Sequence, residues 1–245
     1  MQCMIFAAGM GTRLRPLTDT MPKALVPIGG VPLLERLLLK LKAQGFTRVV
    51  VNVHHFGEQI IDFLRTNNNF GLDVAVSDER AQLLDTGGGL LKAADFFSAD
   101  EPILIHNVDI LNNLDLASLM RAHVDSENLA TLVVSERTSS RYLLFDSDMR
   151  LHGWTNVKTG ETIMAADALI SNLHRYAFAG IHVVNPKIFG VMHSLGFNGA
   201  FPIMSFYLKA MNTQTIKGYA PDNLKIMDVG KIGDIEDAHA FAAGL

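Results

Sequence analysis

AAGMGTRLRPLTDTMPK, residues 7–23, is the stretch on which the fold of this 245-residue chain turns. It completes a short apolar run, Met4-Ile5-Phe6-Ala7-Ala8, that reads as a strand. Gly9 and Gly11 follow, and they let the backbone bend tightly and come close to a ligand. Thr12 offers a hydroxyl and a backbone N–H. Arg13, Arg15 and Lys23 add positive charge, and no acid intervenes until Asp19. A strand that runs into small residues and then cations is suited to holding phosphates.

Spacing narrows the kind of loop. The P-loop string GxxxxGK followed by Ser or Thr does not occur. The dinucleotide fingerprint needs a third glycine, and Leu14 stands in its place. Pro16 also argues against a helix starting at Gly11. The loop is therefore of a third type, with two glycines, an Arg, and a wandering segment that ends in Pro22-Lys23.

That combination, GMGTRLRPLT followed by PK, resembles the signature of the sugar-1-phosphate nucleotidyltransferases. Three further motifs continue the resemblance in order. LDTGGGL at 84–90 is similar to the family's base-binding loop, IHNVDIL at 105–111 to its strand ending in N-G-D, and MDVGK at 227–231 to its late W-x-D-V-G-T. The short single-domain form and LDTGGG resemble the N-acetylmuramate 1-phosphate uridylyltransferases most. The resemblance implies a three-layer α/β/α, Rossmann-like fold over residues 1–245, with a mostly parallel mixed sheet. A small antiparallel sugar-binding insert is expected over residues 138–200.

Composition agrees with one α/β domain. Hydrophobic residues make up 49% and charged residues 19%, which suits a packed core. A net charge of −4 gives no footprint for nucleic acid. The single cysteine, Cys3, lies in the first apolar strand and permits no disulfide within the chain. The N-terminal apolar run is too short for a signal peptide, and no stretch reaches membrane-span length. A soluble, cytoplasmic protein, monomeric or a small homo-oligomer, is the expectation.

Periodicity supports the layered reading. Leu33, Leu34, Leu37, Leu38 and Leu41 repeat at helical spacing before Gly45. Strands are expected at 48–53, 73–77, 102–107 and 130–134, with helices at 58–66, 89–97 and 116–124 between them. This alternation predicts a mostly parallel sheet covered on both faces. From about residue 140 the rhythm breaks into short alternating pieces, read as antiparallel strands over 141–183. Helices return at 186–194 and 202–211, and a strand at 225–228 leads to a closing helix from Ile232.

The resemblance implies transfer of a nucleotidyl group from a nucleoside triphosphate, with UTP the expected donor, to a sugar 1-phosphate. Pyrophosphate leaves. The attacking phosphate oxygen is already ionised near neutral pH, so the barrier is repulsion between anions, and cations and positioning should supply the rate. Arg13 and Lys23 are the expected catalytic cations. Asp109 and Asp228, at separate strand ends, are the expected Mg²⁺ ligands, since Mg²⁺ takes one or two carboxylates plus phosphates and waters. Asp109 taken alone would also suit a turn, and Asn112, Asn113 and Asp115 would suit helix caps. Ala8, Gly9, Gly11, Thr12, Gln82, Gly87 and Gly88 are the expected nucleotide contacts. Phe178-Ala179-Gly180-Ile181 resembles a family strand beside the sugar, so Gly180 is an expected acceptor contact. Tyr142 and Trp154 suit either a sugar platform or the core. His54-His55 point to opposite sides of a strand and read as structural.

The sequence also departs from the pattern. Val108 replaces the Gly of N-G-D, and Asp85 stands where many relatives carry Gly. The E-K-P motif, whose Lys grips the sugar phosphate, is missing; GWTNVK at 153–158 occupies its place, with Asn156 and Lys158 as the expected substitutes. Guanylyl or cytidylyl transfer on the same core remains open, as does a catalytically silent nucleotide-sugar-binding protein.

Overall fold

A computed structural model describes residues 1–166, 168 and 173–245. In chain order, β1 (Gln2–Phe6) is followed by the small hairpin β2 (Pro27–Ile28) and β3 (Val31–Pro32), then by α1 (Leu33–Ala43). Next come β4 (Arg48–Val53), α2 (Gly57–Thr66), β5 (Asp73–Asp78) and α3 (Asp85–Lys92). The middle of the chain forms β6 (Ile103–Asn107), β7 (Ile110–Asn112), α4 (Leu116–Val124) and β8 (Ala130–Ser135). After these lie β9 (Arg141–Phe145), β10 (Leu151–Asn156), β11 (Thr162–Met164) and the long β12 (His174–Val184). The chain closes with α5 (Ile188–Ser194), α6 (Ile203–Ala210), β13 (Ile216–Tyr219), β14 (Ile226–Asp228) and α7 (Ile235–Ala243).

Strands β5, β4, β1 and β6 lie side by side and parallel. β12 is the reversed strand: it runs antiparallel to β6 on one side and to β8 on the other, and β13 continues parallel to β8. Side chains alternate across this sheet. Cys3, Ile5, Val49, Val51 and Leu104 face one core, which α1, α2, α4 and α7 cover. Met4, Phe6, Val50, Ile103 and Ile105 face the other, covered by α3, α5 and α6. The expected three layers are present, and the leucine repeat of α1 is its buried stripe.

The antiparallel insert exists, with a different boundary. β9, β10 and β11 form its ladder, and residues 174–176 of β12 join β9. The same strand then runs on to Val184 in the main sheet, because its later residues are apolar and fully buried between the two cores. Residues 167 and 169–172, inside the expected insert, lie outside the described residues.

Other boundaries also differ from expectation. β1 stops at Phe6, not Ala8, because the side chain of Asn52 takes the next two amides: its Oδ1 accepts from Ala7 N at 2.7 Å and Ala8 N at 3.3 Å. The helix expected at 89–97 begins at Asp85 and ends at Lys92, with one further turn at Ala94–Phe96. The closing helix starts at Ile235, after a single turn at Ile232–Asp234. Asp115 is the cap of α4, its carboxylate accepting from Ser118 N at 2.9 Å.

Candidate active site

The parallel strands β1, β4 and β6 end at one edge of the sheet, with Phe6 in register with Asn52 and Asn107. The carboxyl edge of such a sheet is where ligands bind. Residues 7–13 cross this edge as the loop after β1. Gly11 makes the loop possible: its φ is +63°, and a Cβ there would meet Thr18 Cγ2 at 2.9 Å and Lys23 Cβ at 3.1 Å. The loop is therefore folded tightly onto the start of the segment that carries Lys23.

Lys23 is buried, and its ammonium forms an ion pair with the carboxylate of Asp109, which follows β6. Asp228 reaches the same place through a second ladder. β14 pairs antiparallel with β7, with Asp228 opposite Ile110, and Val229 N donates to Asp109 O at 2.9 Å. Arg13 is adjacent, since a Cβ on Gly230 would lie 3.0 Å from Asp228 Oδ1 and 3.3 Å from Arg13 Nη2. Residues that the sequence separates by about two hundred positions thus meet at one point.

The electrostatics reflect this crowding. Asp228 is open to the cleft, yet its carboxyl pKa is raised. Partial withdrawal from water is the main cause and the negative charge of Asp109 the next, while Lys23, Arg13 and Arg137 pull the other way. The charge of Asp109 opposes the ionisation of Asp228, a repulsion that a divalent cation would relieve, and the Lys23 ammonium already occupies a cation's position beside Asp109.

Three cavities open along the edge, and Phe6 and Thr86 line all of them. The central one, of about 340 Å³, holds Gly9, Gly11, Thr12, Arg13, Lys23 and Asp109. The second, of about 470 Å³, is bounded by Ala8, Gly9, Asn52, Leu83 and Asp85. The third, of about 520 Å³, lies under the insert and includes Asn107, Arg137, Tyr142, Trp154 and Phe178. Tyr142 and Trp154 are half-buried in its wall. Gly180 borders this third cavity indirectly: a Cβ there would sit 2.8 Å from Asn107 Nδ2, so its bareness seats the Asn107 side chain.

Five expected contacts fall elsewhere. Gly87 and Gly88 lie buried in the first turn of α3, and both amides donate to Phe201 O, at 2.8 and 3.2 Å. A Cβ on Gly88 would stand 2.1 Å from Gly199 O. These glycines let a helix and a loop touch; they do not present amides to a ligand. Gln82 is exposed and lines none of the three cavities; Leu83, Asp85 and Thr86 occupy the wall instead. Asn156 and Lys158 form the turn after β10, where Asn156 Oδ1 accepts from Lys158 N at 3.0 Å. Neither borders the third cavity.

Sequence reasoning passed over a buried brace. Glu79 is fully buried and accepts from Asn52 Nδ2 at 2.7 Å and Leu84 N at 3.1 Å. Asn52 in turn holds the amides of Ala7 and Ala8. One pair thus ties the phosphate loop to the segment before α3. The signal was an Asn inside the apolar strand VVVNV, where a polar residue needs a reason. Asp85 has a φ of +58°, the left-handed conformation that favours glycine.

Comparison with known proteins agrees with this fold. The family model described as "Nucleotidyl transferase" matches residues 2–159. The N-acetylmuramate alpha-1-phosphate uridylyltransferase of Caulobacter vibrioides is 29% identical over 231 residues, covering 90% of this chain and 88% of that protein. The enzyme of the same description from Neisseria meningitidis serogroup B is 42% identical over 118 residues; that match covers 48% of this chain and about half, 51%, of the relative. Among solved structures, HddC from Yersinia pseudotuberculosis complexed with GMP-PN superposes with a TM-score of 0.77 at 21% identity, covering 98% of each chain, and this likeness speaks for the fold. Among the described residues, no helix is long and apolar enough to cross a membrane.

Proposed function

The chain belongs to the nucleotidyl transferase family, and on that premise we propose that it transfers a uridylyl group from UTP to a sugar 1-phosphate, releasing pyrophosphate. The observation that carries this reading is the meeting of Lys23, Asp109 and Arg13 at one cavity, with Asp228 next to Arg13 across Gly230 at its rim. The donor's phosphates lie along residues 9–13, its base in the cavity of Ala8, Leu83 and Asp85, and the acceptor under the insert.

The chemistry follows from the arrangement. The acceptor phosphate oxygen attacks the α-phosphorus, the bond to the β-phosphate bridge oxygen breaks, and pyrophosphate leaves. Lys23 leaves Asp109 for the α-phosphate and offsets its growing negative charge, as a preorganised cation on a phosphoryl group does. Arg13 grips the departing oxygens with a planar fork. Asp109 and Asp228 would hold Mg²⁺, which, when bound, neutralises charge on both phosphates. No general base is required, because the attacking phosphate oxygen is already ionised near neutral pH.

For the acceptor we favour N-acetylmuramate 1-phosphate, on the Caulobacter relative that spans most of the chain. The cavity itself adds a reason. Arg141 lines it together with Arg137, and the lactyl ether of muramate carries a carboxylate that a guanidinium suits. Such a product is a precursor-type sugar nucleotide, made where nucleoside triphosphates are, in the cytoplasm. Purified protein with UTP, Mg²⁺ and N-acetylmuramate 1-phosphate should release pyrophosphate, and N-acetylglucosamine 1-phosphate, which lacks the carboxylate, should be the poorer acceptor. Release with GTP or CTP but none with UTP would overturn the uridylyl assignment.

A further inference from the structure

The reaction brings two anions together, so the acceptor's phosphate needs a cation of its own. The residues at 153–158 do not deliver one to the cavity. Lys158 is exposed on a turn, and Asn156 is spent on closing that turn. Lys23 and Arg13 face the donor side.

A guanidinium arrives from a different element. Arg137 lies in the connection between β8 and β9, and it lines the acceptor cavity. Asn107 lines that cavity and also the one that holds Lys23 and Asp109, so the two cavities adjoin. The orientation of Arg137 is fixed: Nη2 donates to Phe178 O at 3.0 Å, just before Gly180 and the Asn107 side chain. A guanidinium has five N–H donors, and this bond takes one. Among the described residues it forms no ion pair, so the charge remains for a ligand.

From this geometry we infer that Arg137 binds the phosphate of the sugar 1-phosphate, bringing from the β8–β9 connection the charge that Lys158 does not bring to the cavity. The inference rests on the acceptor assignment above. It makes Arg137 a binding residue for one substrate only. The triphosphate has its own cations, Arg13 and Lys23, across Asn107 from it.

Two measurements on Arg137→Ala and Arg137→Lys test it in the full chain. Steady-state kinetics should show KM for N-acetylmuramate 1-phosphate rising by more than about tenfold in Arg137→Ala, as expected for loss of a charge-assisted contact. KM for UTP should stay within about twofold, and Arg137→Lys should recover part of the acceptor affinity. Calorimetry with N-acetylmuramate 1-phosphate alone gives a second readout that needs no turnover. Binding by the wild type that disappears in Arg137→Ala supports the role even if the wild type transfers no uridylyl group, in which case the activity assignment fails by itself. Equal acceptor binding by wild type and Arg137→Ala, or absence of binding by both, overturns the inference. So does a parallel loss of UTP and acceptor affinity, which would mark a merely structural residue.

Discussion

The ammonium of Lys23 rests on the carboxylate of Asp109, one carried by the first loop and the other by the end of β6. Each holds the other in the central cavity at the carboxyl edge of the sheet. Lys23→Ala is expected to lower kcat by about 10²-fold or more, the size seen when one preorganised charge is removed from a transition state. The folded protein should persist, as judged by circular dichroism. A kcat within a factor of about three of wild type would remove Lys23 from the transfer step.

Asp109→Ala and Asp228→Ala test the metal role. Each should abolish Mg²⁺-dependent pyrophosphate release at ordinary metal concentrations while leaving thermal unfolding cooperative. Normal activity in either variant contradicts the assignment of that residue.

Two glycines separate packing from ligand contact. A Cβ on Gly88 collides with Gly199 O, whereas a Cβ on Gly9 meets no protein atom within 4 Å and points at open space in the cleft. Gly88→Ala should therefore destabilise the fold by about 1–3 kcal/mol, the usual range for overpacking. Gly9→Ala should leave the melting temperature nearly unchanged and weaken UTP binding. Chemical denaturation and calorimetry with UTP distinguish the pair, and the reverse pattern would reject the division.

Asn52→Ala removes the brace under the phosphate loop. It leaves Glu79 Oε1 without its donor, while Oε2 keeps Leu84 N, and it frees the amides of Ala7 and Ala8. Each buried polar group left unpaired costs about 1–3 kcal/mol. Stability and UTP affinity should fall together, because the same amides set the course of residues 9–13.

Acid should also unfold the protein early. Burial lowers the pKa of His106 to about 3, of His123 to about 4 and of His182 to about 3, the last helped by the nearby His106. In the unfolded chain each titrates at about 6.5. Between these values the unfolded state binds more protons, so the stability present above about pH 6.5 is lost as pH falls toward the folded values. Melting temperature measured against pH should drop through this window. His182→Phe, in its aromatic surroundings of Phe178 and Tyr207, should shallow the slope; an unchanged slope would show that His182 takes no part.

Much of this was legible in the chain because it is local. The strand at 48–53 and the helix at 116–124 follow from apolar periodicity and an Asp115 cap, and both stand where that reasoning put them. Arg13, Lys23, Asp109 and Asp228 were legible because each motif is short and contiguous. What escaped depends on contacts across the fold. Gly87 and Gly88 look like a ligand loop until Phe201, over a hundred positions away by about the span of several elements, is seen taking their amides. Asn156 and Lys158 were chosen by position along the chain, whereas the cavity is lined by Arg137 from the strand connection and Arg141 from the start of β9. Asn52 and Glu79 carry no chemistry by themselves, and only their shared burial gives them a purpose.

One continuous strand, β12, belongs both to the ladder with β9 and to the central sheet beside β6. Its pairing with β8 slips between Phe178 and His182, around Gly180 with its φ of +74°. The antiparallel insert is therefore not hung on a slack tether: one glycine marks the point where its strand passes, unbroken, into the central sheet.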